Sequence, residues 1–196
     1  MERESPDSTY NKMENLNMMK LITTIAISIA VVVWGTAYAQ SNAAEAPPND
    51  AQIAMIAVVA DRIDIDAGKM AAPKASNKEV KAFAETMVRD HTAVNAQATA
   101  LAKKLGVTPE KSAMSNSLKS DGDKTRAKLN TMSGAEFDKA YVDNEVTYHE
   151  TVIGALDKTL IPNTKNAELK TLLESARPIF VSHLEHAKHL QKSLSK

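Results

Sequence analysis

Residues 76–106, SNKEVKAFAETMVRDHTAVNAQATALAKKLG, decide the fold of this chain. Within this stretch, side chains suited to a buried face recur at alternating intervals of four and three residues. That spacing predicts a long helix packed along one face against other helices. A histidine lies in the middle of the otherwise apolar stripe. The positions of the stripe are Val80, Ala84, Met87, His91, Val94, Ala98, Leu101 and Leu105.

Capping residues mark the ends of the predicted helices. Ser76 followed three residues later by Glu79 predicts a capping box, in which each side chain accepts a backbone N–H of the other residue. Ser133 and Glu136 have the same spacing and predict the start of another helix. Gly106 follows two lysines and predicts a left-handed stop at the end of the long helix.

Three further segments carry apolar residues at helical spacing. They predict helices over residues 50–72, 135–159 and 164–194, the first of them stopped by Pro73. No segment alternates in the way that a half-buried strand requires. Together with the long helix, these segments predict an all-α, four-helix bundle whose small alanine side chains let the helices approach closely.

Two connections complete the predicted bundle. The tripeptide Ile161-Pro162-Asn163 predicts a tight turn between the last two helices. Residues 107–134 predict a polar, partly helical connection between helices two and three. In that connection, Thr108-Pro109 predicts a helix start and residues 121–123 (Asp-Gly-Asp) predict a break.

The N-terminal segment, residues 1–39, has the features of a targeting sequence. Lys20 precedes an apolar run over residues 21–34, and Ala37-Tyr38-Ala39 supplies small residues at a cleavage site. The run is too short to span a bilayer, because a helix needs about 20 residues to do so. We therefore expect a secretory signal peptide, cleaved after Ala39, rather than a membrane anchor. No transmembrane span would remain after cleavage.

The sequence predicts three regions, with the cleavage site between the first and the second. Residues 1–39 would be the N-terminal extension and signal, residues 40–49 a linker rich in alanine and proline, and residues 50–196 the helical domain.

Composition argues against several classes of function. Lysine plus arginine and aspartate plus glutamate both number 24, so no net charge directs the chain to nucleic acid. The absence of cysteine excludes disulfides, thiolate zinc sites, cysteine nucleophiles and a lipoprotein anchor. The sequence also has no glycine-rich phosphate loop, and nothing in it marks a nucleophile. We therefore expect a role other than catalysis.

Motifs on three of the predicted helices resemble those of one protein family. They are residues 83–92 (FAETMVRDHT), residues 133–149 with the pattern SGxxFDxxYV followed by His149, and residues 183–187 (HLxxA). All three are similar to motifs of the bacterial envelope family called domain of unknown function 4142. Residues 64–69 (DIDAGK) depart from its pattern, because the family usually has a glutamate where this chain has Asp64. The resemblance extends over about 50–194 and implies a ferritin-like fold in the periplasm or outer envelope, without an established activity.

Three of the five histidines, His91, His149 and His183, lie on the packed faces of three different helices. With Asp64 and Glu145 they could supply nitrogen and oxygen ligands to a transition metal such as iron or zinc. The alternative is that these histidines are partly buried and satisfied by hydrogen bonds to neighbouring polar groups or water.

Two observations favour the alternative. The chain lacks the paired Glu-x-x-His motifs of carboxylate-bridged di-iron bundles. In addition, His149 lies about three turns before the end of its predicted helix, whereas His183 lies about five turns into the next. In a tight hairpin this difference separates their levels by roughly 12 Å. Asp64, about two turns before the end of helix one, and His91, about four turns into helix two, differ similarly. The register thus predicts that the candidate ligands do not converge.

The sequence therefore favours a secreted protein with a non-enzymatic binding role or a role in envelope stress. A second hypothesis is a metal-binding or metal-oxidising bundle that uses the five candidate ligands. A third is an interaction module that presents residues 107–134 to an envelope partner.

Overall fold

The computed structural model describes residues 46–195. The predicted signal peptide, its cleavage site and residues 40–45 of the predicted linker lie outside the described residues. Within residues 46–195 the chain forms helices and no strand, which confirms the predicted all-α class. The five main helices in this part of the chain are α1 (Asp50–Lys74), α2 (Lys78–Lys104), α3 (Ala113–Asn130), α4 (Gly134–Ala155) and α5 (Ala167–Leu194).

Four of these helices form the bundle. Helices α1 and α2 make one hairpin, α4 and α5 make the other, and α2 packs against α5 while α1 contacts α4. Helix α3 lies beside α1 and also touches α4, so the predicted polar connection is largely one helix packed on the bundle. Between residues 46 and 195, none of the helices has the length and apolarity needed to cross a membrane.

The interior formed by residues 46–195 contains two apolar clusters. The Phe83 cluster is formed by Ala67, Ala71, Val80, Phe83, Ala84, Met87, Leu129, Phe137, Tyr141, Val142, Val146, Leu184, Ala187 and Leu190. The Ile53 cluster is formed by Ile53, Ile56, Ala60, Val94, Val152, Leu156, Leu160, Leu169, Leu173, Ala176 and Phe180. Each of the four bundle helices contributes to both clusters. A level between the clusters is therefore enclosed by four helices.

The predicted capping boxes are both wrong. Asn77 caps α2, and its side chain accepts the backbone N–H groups of Glu79 and Val80 at 2.8 and 3.3 Å. The backbone N–H of Ser76 instead donates to the Asp138 carboxylate at 3.0 Å, and the Ser76 hydroxyl donates to the same carboxylate. Ser133 is the N-cap of α4 but makes no side-chain capping bond. A tertiary partner, buried Asp138, thus displaces the local cap at Ser76.

The connection between α2 and α4 also differs from the prediction. Gly106 has a φ of +63°, which confirms the left-handed stop after α2. However, α3 begins after Ser112, which forms a capping box with Ser115, and not at Thr108-Pro109. The helix then runs without a break through Gly122. A Cβ atom at Gly122 would lie 2.9 Å from the side chain of Ile63, so this glycine permits a close approach to α1.

The turn between α4 and α5 lies further along the chain than predicted. A π-helical turn, Leu156–Leu160, and a final turn, Ile161–Asn163, prolong α4 through the predicted tight turn. The chain reverses at residues 164–166, where the Asp50 carboxylate accepts the backbone N–H groups of Lys165 and Asn166, both at 2.8 Å. Pro162 lies in this final turn, directly after the π-helical turn.

Candidate metal centre

A layer of polar residues, called here the polar layer, separates the two apolar clusters. All of its members are at most 4% exposed. The layer contains the five predicted candidates and one residue that was not predicted, Asp61. Its members are Asp61 and Asp64 on α1, His91 on α2, Glu145 and His149 on α4, and His183 on α5.

The prediction that the candidates do not converge is wrong. The rings of His149 and His183 have centroids 5.5 Å apart. Because the helical segment after α4 extends to Asn163 and α5 begins at Ala167, the two histidines lie at almost equal distances from the turn between them. An offset of about two residues corresponds to about 3 Å along a helix, so His149 and His183 are nearly level.

The α1–α2 hairpin brings its residues together in the same way. Helix α1 continues past Pro73 to Lys74 and α2 starts at Lys78, so Asp61 lies as far before the hairpin turn as His91 lies after it. His91 Nδ1 is 2.9 Å from Asp61 Oδ1, and His91 Nε2 is 3.4 Å from Asp64 Oδ2. The imidazole is thus placed between two carboxyl groups of one helix face.

The three imidazoles form a triangle. The ring centroid of His91 lies 5.7 Å from that of His149 and 5.1 Å from that of His183. The ring of Phe180 packs against His91 and His149, with centroid distances of 4.9 and 5.9 Å. Phe180 therefore forms an apolar wall on the side of the triangle that faces the Ile53 cluster.

Each imidazole of the triangle has one ring nitrogen bonded to the protein. His149 Nδ1–H donates to the backbone carbonyl of Glu145 at 2.9 Å. His91 Nδ1 and His183 Nε2 lie 2.9 and 3.0 Å from the carboxylates of Asp61 and Asp90. Since a carboxylate or carbonyl oxygen can only accept, these nitrogens carry the proton when the ring is neutral. The second nitrogen of each ring is then left with a free lone pair.

These second nitrogens and three carboxylate oxygens of the layer have no hydrogen-bond partner among residues 46–195. They are His91 Nε2, His149 Nε2, His183 Nδ1, Asp64 Oδ2 and both Glu145 carboxylate oxygens. Two groups, one of the three histidines and one of Asp64, Glu145 and His149, have ligand atoms within 4.8 Å of one another. Ligands bound to one ion at about 2.1 Å lie about 3–4 Å apart. A small contraction would therefore let these buried groups hold a metal ion.

Burial shifts the carboxyl groups of the layer towards their neutral forms. Removal from water raises the pKa of Glu145 to about 8, although the nearby side chains of Asp64 and Asn144 oppose that shift. Burial also raises the pKa of Asp64 well above its usual range, and the nearby charges of Glu145 and Asp61 add to this effect. Without a cation, this pair of carboxyl groups retains a proton.

The same burial keeps two imidazoles neutral. Desolvation, with repulsion from His91, lowers the pKa of His149 to about 3. Burial also lowers the pKa of His183, although the carboxylate of Asp90 opposes that shift. Neutral imidazole is the form that binds metals. The electrostatics of the layer therefore disfavour protonation of these rings and leave each with a nitrogen lone pair that can bind a metal.

Two supporting residues were missed from the sequence. Asp61 lies one helical turn before Asp64, and this i, i+3 spacing on one face of α1 is the signal that would have found it. Asp90 adjoins His91 in sequence but bonds His183 on α5, a contact that no spacing along the chain reveals. The other two histidines, His186 and His189, lie outside the layer.

Comparison with known proteins identifies the family. The model of the family described as Domain of unknown function (DUF4142) matches residues 35–190. No match was found among curated proteins or among solved structures, so the ferritin-like fold that the resemblance implies stays a prediction. The match covers most of the chain, including every residue of the polar layer. This chain therefore belongs to the DUF4142 family.

Proposed function

We propose that this protein binds one transition-metal ion, iron or zinc, in the polar layer. The ligand atoms would be the free nitrogens of His91, His149 and His183 together with carboxylate oxygens of Asp64 and Glu145. Asp61 and Asp90 would orient two of the imidazoles from outside, as carboxylates commonly do for metal-bound histidines.

One observation carries this proposal: the buried atoms of the layer that lack partners lie close to one another. Leaving a buried polar atom unpaired costs about 1–3 kcal/mol, and native structures contain few such atoms. Here they come from all four bundle helices, α1, α2, α4 and α5. A cation bound between them would satisfy these atoms together and offset that cost.

The donor set points to the class of metal. Imidazole nitrogens suit zinc, iron, copper and nickel, and carboxylates suit harder ions, whereas the soft sulfur ligands that select Cu(I) do not contribute to the polar layer. Up to five nitrogen and oxygen donors exceed the four of a structural zinc site, which favours iron. Loss of the proton that the carboxyl groups of Asp64 and Glu145 retain without a cation would help to balance the charge of a divalent ion.

The same proposal places the protein in the bacterial envelope. The leader pattern of residues 1–39 supports export and cleavage after Ala39, and the family resemblance supports a periplasmic or outer-envelope location. Holding a reactive metal there would be a non-enzymatic role in envelope stress, which unites the first two hypotheses drawn from the sequence. Export is tested by the mass of the periplasmic protein, which should begin at Gln40. Retention in the inner membrane through residues 21–34 would contradict it.

Metal binding is tested by comparing two histidines of α5. Protein purified without a histidine tag is stripped with chelator and titrated with Fe²⁺ under anaerobic conditions or with Zn²⁺. We expect one ion per chain and a higher melting temperature when the ion is added, because a ligand that binds only the folded state stabilises it. His183→Gln should weaken binding at least 100-fold. His189→Gln, which changes an exposed histidine of the same helix, should leave it unchanged.

Two results would contradict the proposal. The first is wild-type protein that binds neither ion stoichiometrically. The second is binding that survives His183→Gln and disappears in His189→Gln, since the ion would then be held by exposed histidines on the surface.

A further inference from the structure

A cavity of about 140 Å³ lies within the Ile53 cluster, beside the polar layer. All four bundle helices line it, through residues such as Ile56, Val94, Ala98, Ala155 and Leu173. Phe180 forms part of its wall and separates it from the imidazoles of His91 and His149. The cavity is therefore a space distinct from the candidate metal centre.

The walls of this cavity are almost entirely apolar. Asp61 and Thr151 are the exceptions among the residues that line it. Asp61 is already engaged by the ring of His91. A buried water needs two to four polar partners, and these walls do not supply them. The cavity is thus suited to an apolar occupant rather than to water.

We propose that this cavity binds a compact, uncharged apolar molecule, from the size of dioxygen up to that of a benzene ring. The size argument is direct, because a dry protein cavity of about 150 Å³ accepts benzene or xenon. Such an occupant would contact the side of Phe180 that faces away from the imidazoles. Its binding does not require a metal in the polar layer.

Helix α3 provides the route into the cavity. Met114 and Leu118 of α3 close the outer side, and Met114 is 39% exposed. Only Ser115 and Leu129 of α3 are buried, so this helix is held by few side chains. Segments with few buried contacts open more readily than the rest of a domain. Displacement of the Met114 turn would admit a small molecule without unfolding the bundle.

The test uses xenon and benzene as probes with the protein as isolated. Binding is followed by the melting temperature and by nuclear magnetic resonance shifts of cavity methyl groups. Ala98→Leu fills the cavity, and Ala96→Leu places the same side chain on the exposed face of α2 as a matched control. We expect each probe to raise the melting temperature of the wild type and of Ala96→Leu. In Ala98→Leu, affinity should fall at least tenfold.

A second filling variant protects the test against misfolding. Ala155 lines the cavity from α4 and is only half-buried, so Ala155→Leu requires less rearrangement and should also reduce probe binding at least tenfold. Binding of xenon alone would support the proposal and restrict the occupant to gas-sized molecules. The proposal is overturned if neither probe binds the wild type, or if binding persists in a folded filling variant.

Discussion

The Phe83 cluster and the polar layer are buried to the same extent but have opposite effects on the stability of the fold. Val80, Phe83 and Met87 are fully buried, as are His91 and Glu145. For the apolar side chains, burial removes hydrocarbon from water and stabilises the fold by about 1.5–3 kcal/mol each. For the Glu145 side chain, burial opposes the charged form, and its pKa rises to about 8 as a result.

This difference indicates what each region contributes. The two apolar clusters lie on either side of the polar layer and supply the favourable free energy of burial. The layer between them uses part of that stability to keep lone pairs and carboxyl groups out of water. A cation bound there would change the sign of that contribution. Substitutions in the two regions should therefore behave differently with and without metal.

The largest effect is expected in the Phe83 cluster. Phe83 is fully buried and packs edge-to-face against Tyr141 and His186. Phe83→Ala should lower the free energy of unfolding by about 3–5 kcal/mol, because it removes buried area and leaves a cavity. Urea unfolding measures this loss. Exposed Lys103→Ala is the control and should cost less than about 0.5 kcal/mol. Equal losses for both variants would show that this cluster is not the core.

A change of opposite sign is expected in the polar layer. Glu145→Met keeps a similar side-chain length, removes two unpaired oxygens and removes the charge that adds to the effect of burial on the pKa of Asp64. A buried polar atom without a partner costs about 1–3 kcal/mol, and an apolar side chain of similar length does not carry that cost. Metal-free Glu145→Met should therefore be at least as stable as the wild type, and added metal should stabilise it less. A loss as large as that of Phe83→Ala would remove the distinction between the regions.

The sequence predicts well which helix faces form the apolar clusters and the polar layer. Helix α2 follows its stripe closely, because six of the eight positions, from Val80 to Ala98, are buried and only Leu101 and Leu105 are half-buried. Periodicity works here because one face of a long helix is covered along most of its length. The same argument found all five candidate ligands, since each lies on the packed face of its helix.

The convergence of those ligands could not be predicted, because it depends on the ends of the helices. If Ile161-Pro162-Asn163 were the turn, His149 and His183 would lie at different levels. In the structure the chain reverses later, at residues 164–166, and the two histidines are nearly level. The carboxylate of Asp50, at the far end of the domain sequence, stabilises the true turn. Likewise, Asp138 takes Ser76 away from its predicted capping role. Local patterns do not contain such long-range partners.

A third prediction concerns Asp61, which orients His91 without being one of the proposed ligands. Asp61→Asn should weaken metal binding about 10–100-fold, since residues that position a metal-bound histidine have effects of that size. Titration with Zn²⁺ measures the change. Asp66→Asn, on the same helix but outside the polar layer, is the matched control and should bind as the wild type does. Unchanged affinity in Asp61→Asn would mean that the Asp61–His91 contact only satisfies a buried polar group.

The smallest effect, and the most specific one, is the pH dependence of the metal-free protein. The pKa of Glu145 is raised in the folded state from 4.5 to about 8. Its contribution to the free energy of unfolding is therefore full below pH 4.5 and is lost as the pH rises towards 8. The pKa of His149 is lowered from 6.5 to about 3. Its contribution to the free energy of unfolding is therefore full above pH 6.5 and is lost as the pH falls. Burial also raises the pKa of Asp64, so Asp64 contributes a loss of the same sign. Between pH 6.5 and 8 the loss from these two carboxyl groups therefore dominates.

Metal-free protein should accordingly lose on the order of 1 kcal/mol of stability between pH 6.5 and 8, as measured by urea unfolding with chelator. Glu145→Gln removes one of the two buried carboxyl groups with a raised pKa and should reduce this decline to the part that comes from Asp64, whereas Glu150→Gln, an exposed neighbour on α4, should retain it in full. With saturating Zn²⁺ the trend should reverse, because the ion binds the carboxylate that forms as the pH rises. A decline of the wild-type size in Glu145→Gln would show that Glu145 does not contribute to it. A decline unaffected by Zn²⁺ would show that the buried carboxyl groups do not bind the metal. The polar layer would then differ from the Phe83 cluster only because it lowers the stability of the fold.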